Sequence, residues 1–143
     1  MELFNIDLKE LGRHLILLSV ALILPCLTAW EREQKARSAG LRTFPLVSVA
    51  ACAFTILTMA IFNDEGAQAK VLAGIITGIG FIGGGAILKN SSSVNGTSTA
   101  AAIWSTGAVG MAVGLGRIEI ALVLSAVTFV IFKLIGEVKE SND

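Results

Sequence analysis

Apolar residues in this chain come in long unbroken runs, not in the alternating spacing of half-buried strands. Positions 15–30 and 43–63 carry no charge, and 71–88 form an 18-residue apolar run between Lys70 and Lys89. Positions 90–116 are also uncharged, but 90–99 are polar, so the apolar part is 100–115. The last run, 118–135, holds only Glu119 and Lys133, both close enough to its ends to reach an interface. A helix that crosses a bilayer needs about 20 mostly apolar residues. The pattern predicts an all-α membrane protein: a five-span transmembrane helical bundle with spans at about 13–30, 44–62, 71–88, 100–115 and 118–135. Ahead of the first span, Leu3, Phe4, Ile6, Leu8 and Leu11 interleave with Asp7, Lys9 and Glu10. That spacing predicts a short amphipathic helix on the membrane surface, with a frayed terminus as the alternative.

Composition narrows this further. Only 15% of the 143 residues are charged, against about 25% in a soluble domain. Five spans take up roughly 100 residues, and the densest charged stretch, 30–42, is too short to support its own core. The expectation is a single transmembrane domain over 1–143 with no soluble C-terminal domain. The formal net charge is zero, which gives no attraction to nucleic acid. Five spans put the termini on opposite sides. Arg32, Lys35, Arg37, Arg42, Lys89, Lys133 and Lys139 fall on one side, and Lys9, Arg13, Lys70 and Arg117 on the other. The positive-inside rule then predicts a multi-pass membrane protein with a cytoplasmic C-terminus and an outward N-terminus. The mixed charges of the first 14 residues do not read as a cleaved signal peptide.

Glycine is concentrated in the third and fourth spans. The third holds Gly74, Gly78, Gly80, Gly83, Gly84 and Gly85; the fourth holds Gly107, Gly110 and Gly114. Glycines four apart let backbones approach closely, so tight helix packing is the ordinary reading. The sharper one is that Gly83–Gly85 breaks the helix and offers its carbonyls to a ligand or ion.

Chemistry is sparse. No Asp, Glu, Lys or Arg stands in the middle of a span, which points away from proton-coupled transport. Thr77, Thr97, Ser98, Thr99, Ser105 and Thr106 could line a polar path, although each taken singly more ordinarily bonds back to its own helix. There is no phosphate-binding loop, no metal-ligand spacing, and no Ser or Cys with a histidine placed as its base. The chain is therefore not expected to be an enzyme or to carry a cofactor, and metal binding is left open. Cys26 and Cys52 sit in apolar runs and read as small hydrophobes. The loop after span one is the densest in charge, with Glu31, Arg32, Glu33, Arg37 and Arg42, and Glu33 and Arg37 are spaced as helical ion-pair partners.

Three segments together resemble the MgtC/SapB membrane domain. Glu31-Arg32-Glu33 followed by Ala39-Gly40-Leu41-Arg42-Thr43 is similar to that family's ERE…AGLRT loop. Residues 78–85 resemble its GIGFLGAG segment, and Val94-Asn95-Gly96-Thr97-Ser98-Thr99-Ala100-Ala101, followed by Trp104, resembles VRGLTTAA…W. Order, separations and span number agree. Asn95 stands where the family usually has arginine, and Pro25-Cys26 and Thr28-Ala29 replace its glycine-rich approach to ERE. The resemblance implies a multi-pass protein of the bacterial inner membrane linked to magnesium homeostasis, to adaptation to low Mg²⁺ and to virulence, acting on other membrane proteins such as ATP synthase. An old family label, magnesium-transport ATPase component, finds no ATPase motif here.

The favoured expectation is a regulatory membrane protein that forms a homodimer through glycine-rich faces. Its cytoplasmic functional cluster comprises Glu31, Arg32, Glu33, Arg37, Arg42, Thr43, Lys89, Gly96, Thr97, Ser98 and Thr99. Its partners are the lipid bilayer and other inner-membrane proteins. The rival is a cation transporter or channel with a path through the third and fourth spans. A purely structural scaffold is the third reading.

Overall fold

The computed structural model describes residues 6–35, 39–89 and 93–140. Six helices and one small hairpin follow in order: α1 Leu8–Ile23, α2 Cys26–Lys35, α3 Thr43–Ile61, α4 Glu65–Gly85, β1 Leu88–Lys89, β2 Val94–Asn95, α5 Thr97–Gly114 and α6 Ile118–Glu140.

The first predicted span is a helix broken in two. Pro25 has no N–H and interrupts the ladder between Ile23 and Cys26. Side chains serve carbonyls at the break: the Cys26 thiol donates to Leu22 O at 3.1 Å and Ser125 Oγ, from α6, to Leu24 O at 2.6 Å. In hydrocarbon an unserved carbonyl costs several kcal/mol, so such partners are what make a proline tolerable at this depth. The expected surface helix is not a separate element among the described residues. Asp7 caps α1 by accepting from the Lys9 N–H at 2.8 Å, and Leu8–Gly12 are its opening turns. Leu3 and Phe4 lie outside the described residues.

Among the described residues three stretches are long and apolar enough to cross a membrane: Leu8–Gln34, Thr43–Ile61 and Glu65–Gly85. The third starts earlier than expected, because Asp64 accepts from the Ala67 N–H at 2.7 Å and sets the N-terminus there. It is regular helix through Gly83–Gly85 and ends beyond them, where the Ala86 and Ile87 N–H groups take the carbonyls of Gly83 and Gly84. The hairpin, absent from the sequence reading, pairs Leu88 with Asn95 and Lys89 with Val94. It delivers the chain to Gly96, whose φ of 86° and close approach to the Ala86 carbonyl both exclude a side chain.

α5 begins at Thr97 instead of the expected 100, so the polar run supplies its first turn. It is the most buried helix, packed against α3, α4, α6 and α1. Gly110 lies on the backbone carbonyl of Ser48, and Gly114 on that of Cys52 and the side chain of Thr55. Two glycines four apart on α5 thus meet two residues four apart on α3, which brings the helices into backbone contact. Gly107 receives the side chain of Ile79, and Gly83 faces the Ala100 carbonyl, which together seat α4 on α5. Phe44, Ala51 and Ile103 centre one core cluster; Cys52, Val109 and Val113 centre the other. A Schellman turn joins α5 to α6: Gly116, at φ 73°, donates to Val113 O, and Arg117 donates to Ala112 O at 2.8 Å.

Candidate functional site

The site grows from Arg32, near the C-terminal end of α2. Its Nη2 donates to Thr99 Oγ1 at 2.7 Å, a bond that joins the first turn of α5 to a residue 67 positions earlier. Its guanidinium carbon stands 5.0 Å from the ring centroid of Phe132 on α6. Arg32 is half-buried, Thr99 is fully buried, and Arg32 Nε is enclosed with no hydrogen-bond partner in this structure. A hydrogen bond from a charged donor contributes about 1.5–3 kcal/mol, and a desolvated cation–π contact about 2 kcal/mol. Glu31, its neighbour in sequence, acts on Arg32 as an opposing charge. The first-turn N–H groups of α5 also point a partial positive charge toward this end of the bundle. The arrangement therefore fixes the Arg32 guanidinium, opposed by Glu31, where α2, α5 and α6 meet.

Glu33 has a different task. Its Oε2 accepts from the Leu41 N–H at 3.0 Å, and the same carboxylate occupies the space a side chain on Gly40 would need. Glu33 thereby shapes the turn that launches α3, where Phe44 N–H then donates to Gly40 O at 3.1 Å. Arg37 lies outside the described residues, so its expected pairing with Glu33 does too. Arg42 is exposed and occupies the N-cap position of α3 with no side-chain cap, and Thr43 is half-buried. Lys89 is exposed on β1. Thr97 and Ser98 are exposed on the opening turn of α5. The Arg32–Thr99 bond and the Gly96–Ala86 approach place the start of α5, the end of α2 and the end of α4 at one end of the bundle.

The glycines divide into two groups. Gly83, Gly107, Gly110 and Gly114 meet neighbouring helices, whereas a side chain on Gly74, Gly78, Gly80, Gly84 or Gly85 would have nothing within 4 Å. Sequence reasoning missed Phe132 and the α6 face to which it belongs. Ser125, Thr128 and Phe132 recur at helical spacing and contact, respectively, Leu24 O, Ser105 Oγ at 2.7 Å and Arg32. That spacing was legible; treating 118–135 as uniformly apolar hid it. Among the described residues no group of three or more His, Cys, Asp or Glu is placed to hold a metal ion.

Comparison with known proteins bears on these same segments. The chain is 39% identical over 123 residues to Protein MgtC of Brucella abortus, covering 86% of this chain and 50% of that protein. It is 36% identical over 109 residues to Protein MgtC of Salmonella typhimurium, covering 76% and 46% respectively. An uncharacterized protein of Synechocystis is 37% identical over 121 residues, covering 85% and 51%. The chain thus spans about half the length of the curated relatives it matches. No solved structure matches it. The sequence model of the MgtC family aligns with residues 18–141, from the middle of α1 to beyond the end of α6, and so takes in every element that builds the Arg32 site. This chain is a membrane protein that belongs to the MgtC family.

Proposed function

We propose that this chain is a regulator within the inner membrane, serving adaptation to low Mg²⁺ by contacting other membrane proteins through the Arg32 end of the bundle. In this reading all five segments cross, the N-terminus faces outward and the Arg32 end is cytoplasmic. The observation that carries the reading is the Arg32–Thr99 bond at 2.7 Å. It fixes the Arg32 guanidinium beside the N-terminus of α5, at the end of the bundle that this reading makes the contact surface. Between the third and fourth spans, Ile79 fills the space beside Gly107 and Gly83 lies against the Ala100 carbonyl. The Gly83 and Gly84 carbonyls at the end of α4 accept from its own cap.

The test is paired. Proteoliposomes holding the purified chain are assayed for Mg²⁺ flux, and membranes from cells grown in low Mg²⁺ are assayed for proteins that co-purify with it. Co-purification that needs Arg32, without flux, supports regulation. Mg²⁺ flux above that of empty liposomes makes the chain a transporter instead.

A further inference from the structure

The large apolar side chains of α2 face away from the bundle: Leu27 is 64% exposed and Trp30 58%. The buried ones, among its described side chains, are the two small residues Thr28 and Ala29. Lipid tails are as apolar as these side chains, so taking them out of lipid holds the helix only weakly. The stronger hold is Arg32, in the last turn of α2, which donates to Thr99 Oγ1 at 2.7 Å and stands 5.0 Å from the Phe132 centroid. Both attachments belong to one side chain, and they are incomplete. Arg32 Nε is enclosed without a hydrogen-bond partner, and an enclosed N–H without an acceptor opposes the arrangement that encloses it. Turned out to the interface, the same guanidinium meets water along its whole edge.

The opposite end of α2 is a pivot. Pro25 leaves the backbone ladder open between Ile23 and Cys26, and proline is where helices bend. The ladder resumes with the Ala29 N–H on Pro25 O at 2.9 Å. Ser125 Oγ fastens Leu24 O to α6 at 2.6 Å, so the pivot point is anchored to the bundle. Beyond Arg32, Glu33 holds the Leu41 N–H by an exposed bond, which water replaces at little cost.

We propose that α2 is a hinged arm that turns about Leu24–Pro25, is latched by Arg32 on Thr99 and Phe132, and on release frees the Thr99 hydroxyl at the start of α5. The inference concerns the chain alone and holds whether the protein regulates or conducts.

The experiment measures, by double electron–electron resonance, the distance between nitroxides on Gly12→Cys in α1 and Gln34→Cys at the end of α2, in the full chain in proteoliposomes. Cys26→Ser, which keeps a donor for Leu22 O, and Cys52→Ala restrict labelling to these two sites. A side chain at 12 meets nothing within 4 Å, and Gln34 is exposed. At about 1.5 Å per residue the two lie at most roughly 33 Å apart, within reach of the method. One distance is expected to dominate with the latch intact. Thr99→Val and Arg32→Met should each raise the population of a second distance at least roughly tenfold, the lower end for losing a hydrogen bond to a charged group. Ser105→Ala removes a bond of similar length between α5 and α6, the 2.7 Å contact with Thr128, and should leave the distribution as it is. Adding Pro25→Ala to the Thr99→Val chain should suppress the second distance, because a continuous ladder stiffens the pivot. A single unchanged distance in both latch variants overturns the proposal and makes α2 a fixed part of the bundle. A second distance that appears equally with Ser105→Ala, or that persists with Pro25→Ala, overturns it in favour of a general loosening of the helices.

Discussion

Arg32 and Thr99, 67 residues apart, are joined by a 2.7 Å bond that ties the charged loop after the first span to the start of the most buried helix. Thr99→Val removes the acceptor and leaves the guanidinium short of a partner. That should cost about 1–3 kcal/mol of stability in detergent. In an Arg32→Met background, where no charge needs serving, the same change should cost close to nothing. The difference is the coupling read from a double-mutant unfolding cycle.

The two groups of glycines should respond oppositely to alanine. At Gly110 and Gly114 a methyl group meets the carbonyls of Ser48 and Cys52. Each substitution should lower the unfolding midpoint by the equivalent of about 1–3 kcal/mol. At Gly80 and Gly84 it meets nothing within 4 Å, and the gain in helix propensity, up to about 1 kcal/mol, should leave the single chain as stable or more so. If copies associate through the Gly80/Gly84 face, these substitutions lower dimer content in a FRET titration while thermal unfolding holds.

Glu33 and Gly40 should behave as one unit. Gly40→Ala pushes against the Glu33 carboxylate that holds the Leu41 N–H, and should be destabilising by about 1–3 kcal/mol. With Glu33→Ala already present the carboxylate is gone but the Cα and Cβ of residue 33 still stand 3.1 Å from the added methyl, so the added cost of Gly40→Ala should fall without vanishing. Thermal unfolding of the four chains measures it.

At the break in the first span, Ser125→Ala leaves the Leu24 carbonyl without its side-chain donor. The expected cost is about 1 kcal/mol. It should shrink in a Pro25→Ala background, where a continuous helix serves its own carbonyls.

How much of this was legible in the sequence differs by element. Long apolar runs announce helices at membrane length, so the all-α class and the places of α1, α3, α4 and α6 could be read directly. The break at Pro25 was in view as an unusual residue, but its consequence depends on Ser125, 100 positions away, which local pattern cannot supply. The hairpin was hidden because two residues per strand carry no periodicity. The glycines marked close approach, yet which of them face a neighbour is decided by the angle at which α4 rests on α5. Arg32 and Thr99 were both singled out as candidates. Their bond, and the Phe132 ring beside it, needed the packing of three helices to become visible.

The central claim, that the Arg32 end does the protein's work by contact and not by conduction, is tested most directly by complementation. Cells lacking the chain are grown in low Mg²⁺ with the native chain, Arg32→Met, Thr99→Val or the pair, at matched membrane abundance. The account predicts that each single variant loses most of the growth rescue and that the pair is no worse than Arg32→Met alone. Full rescue by Arg32→Met would contradict it.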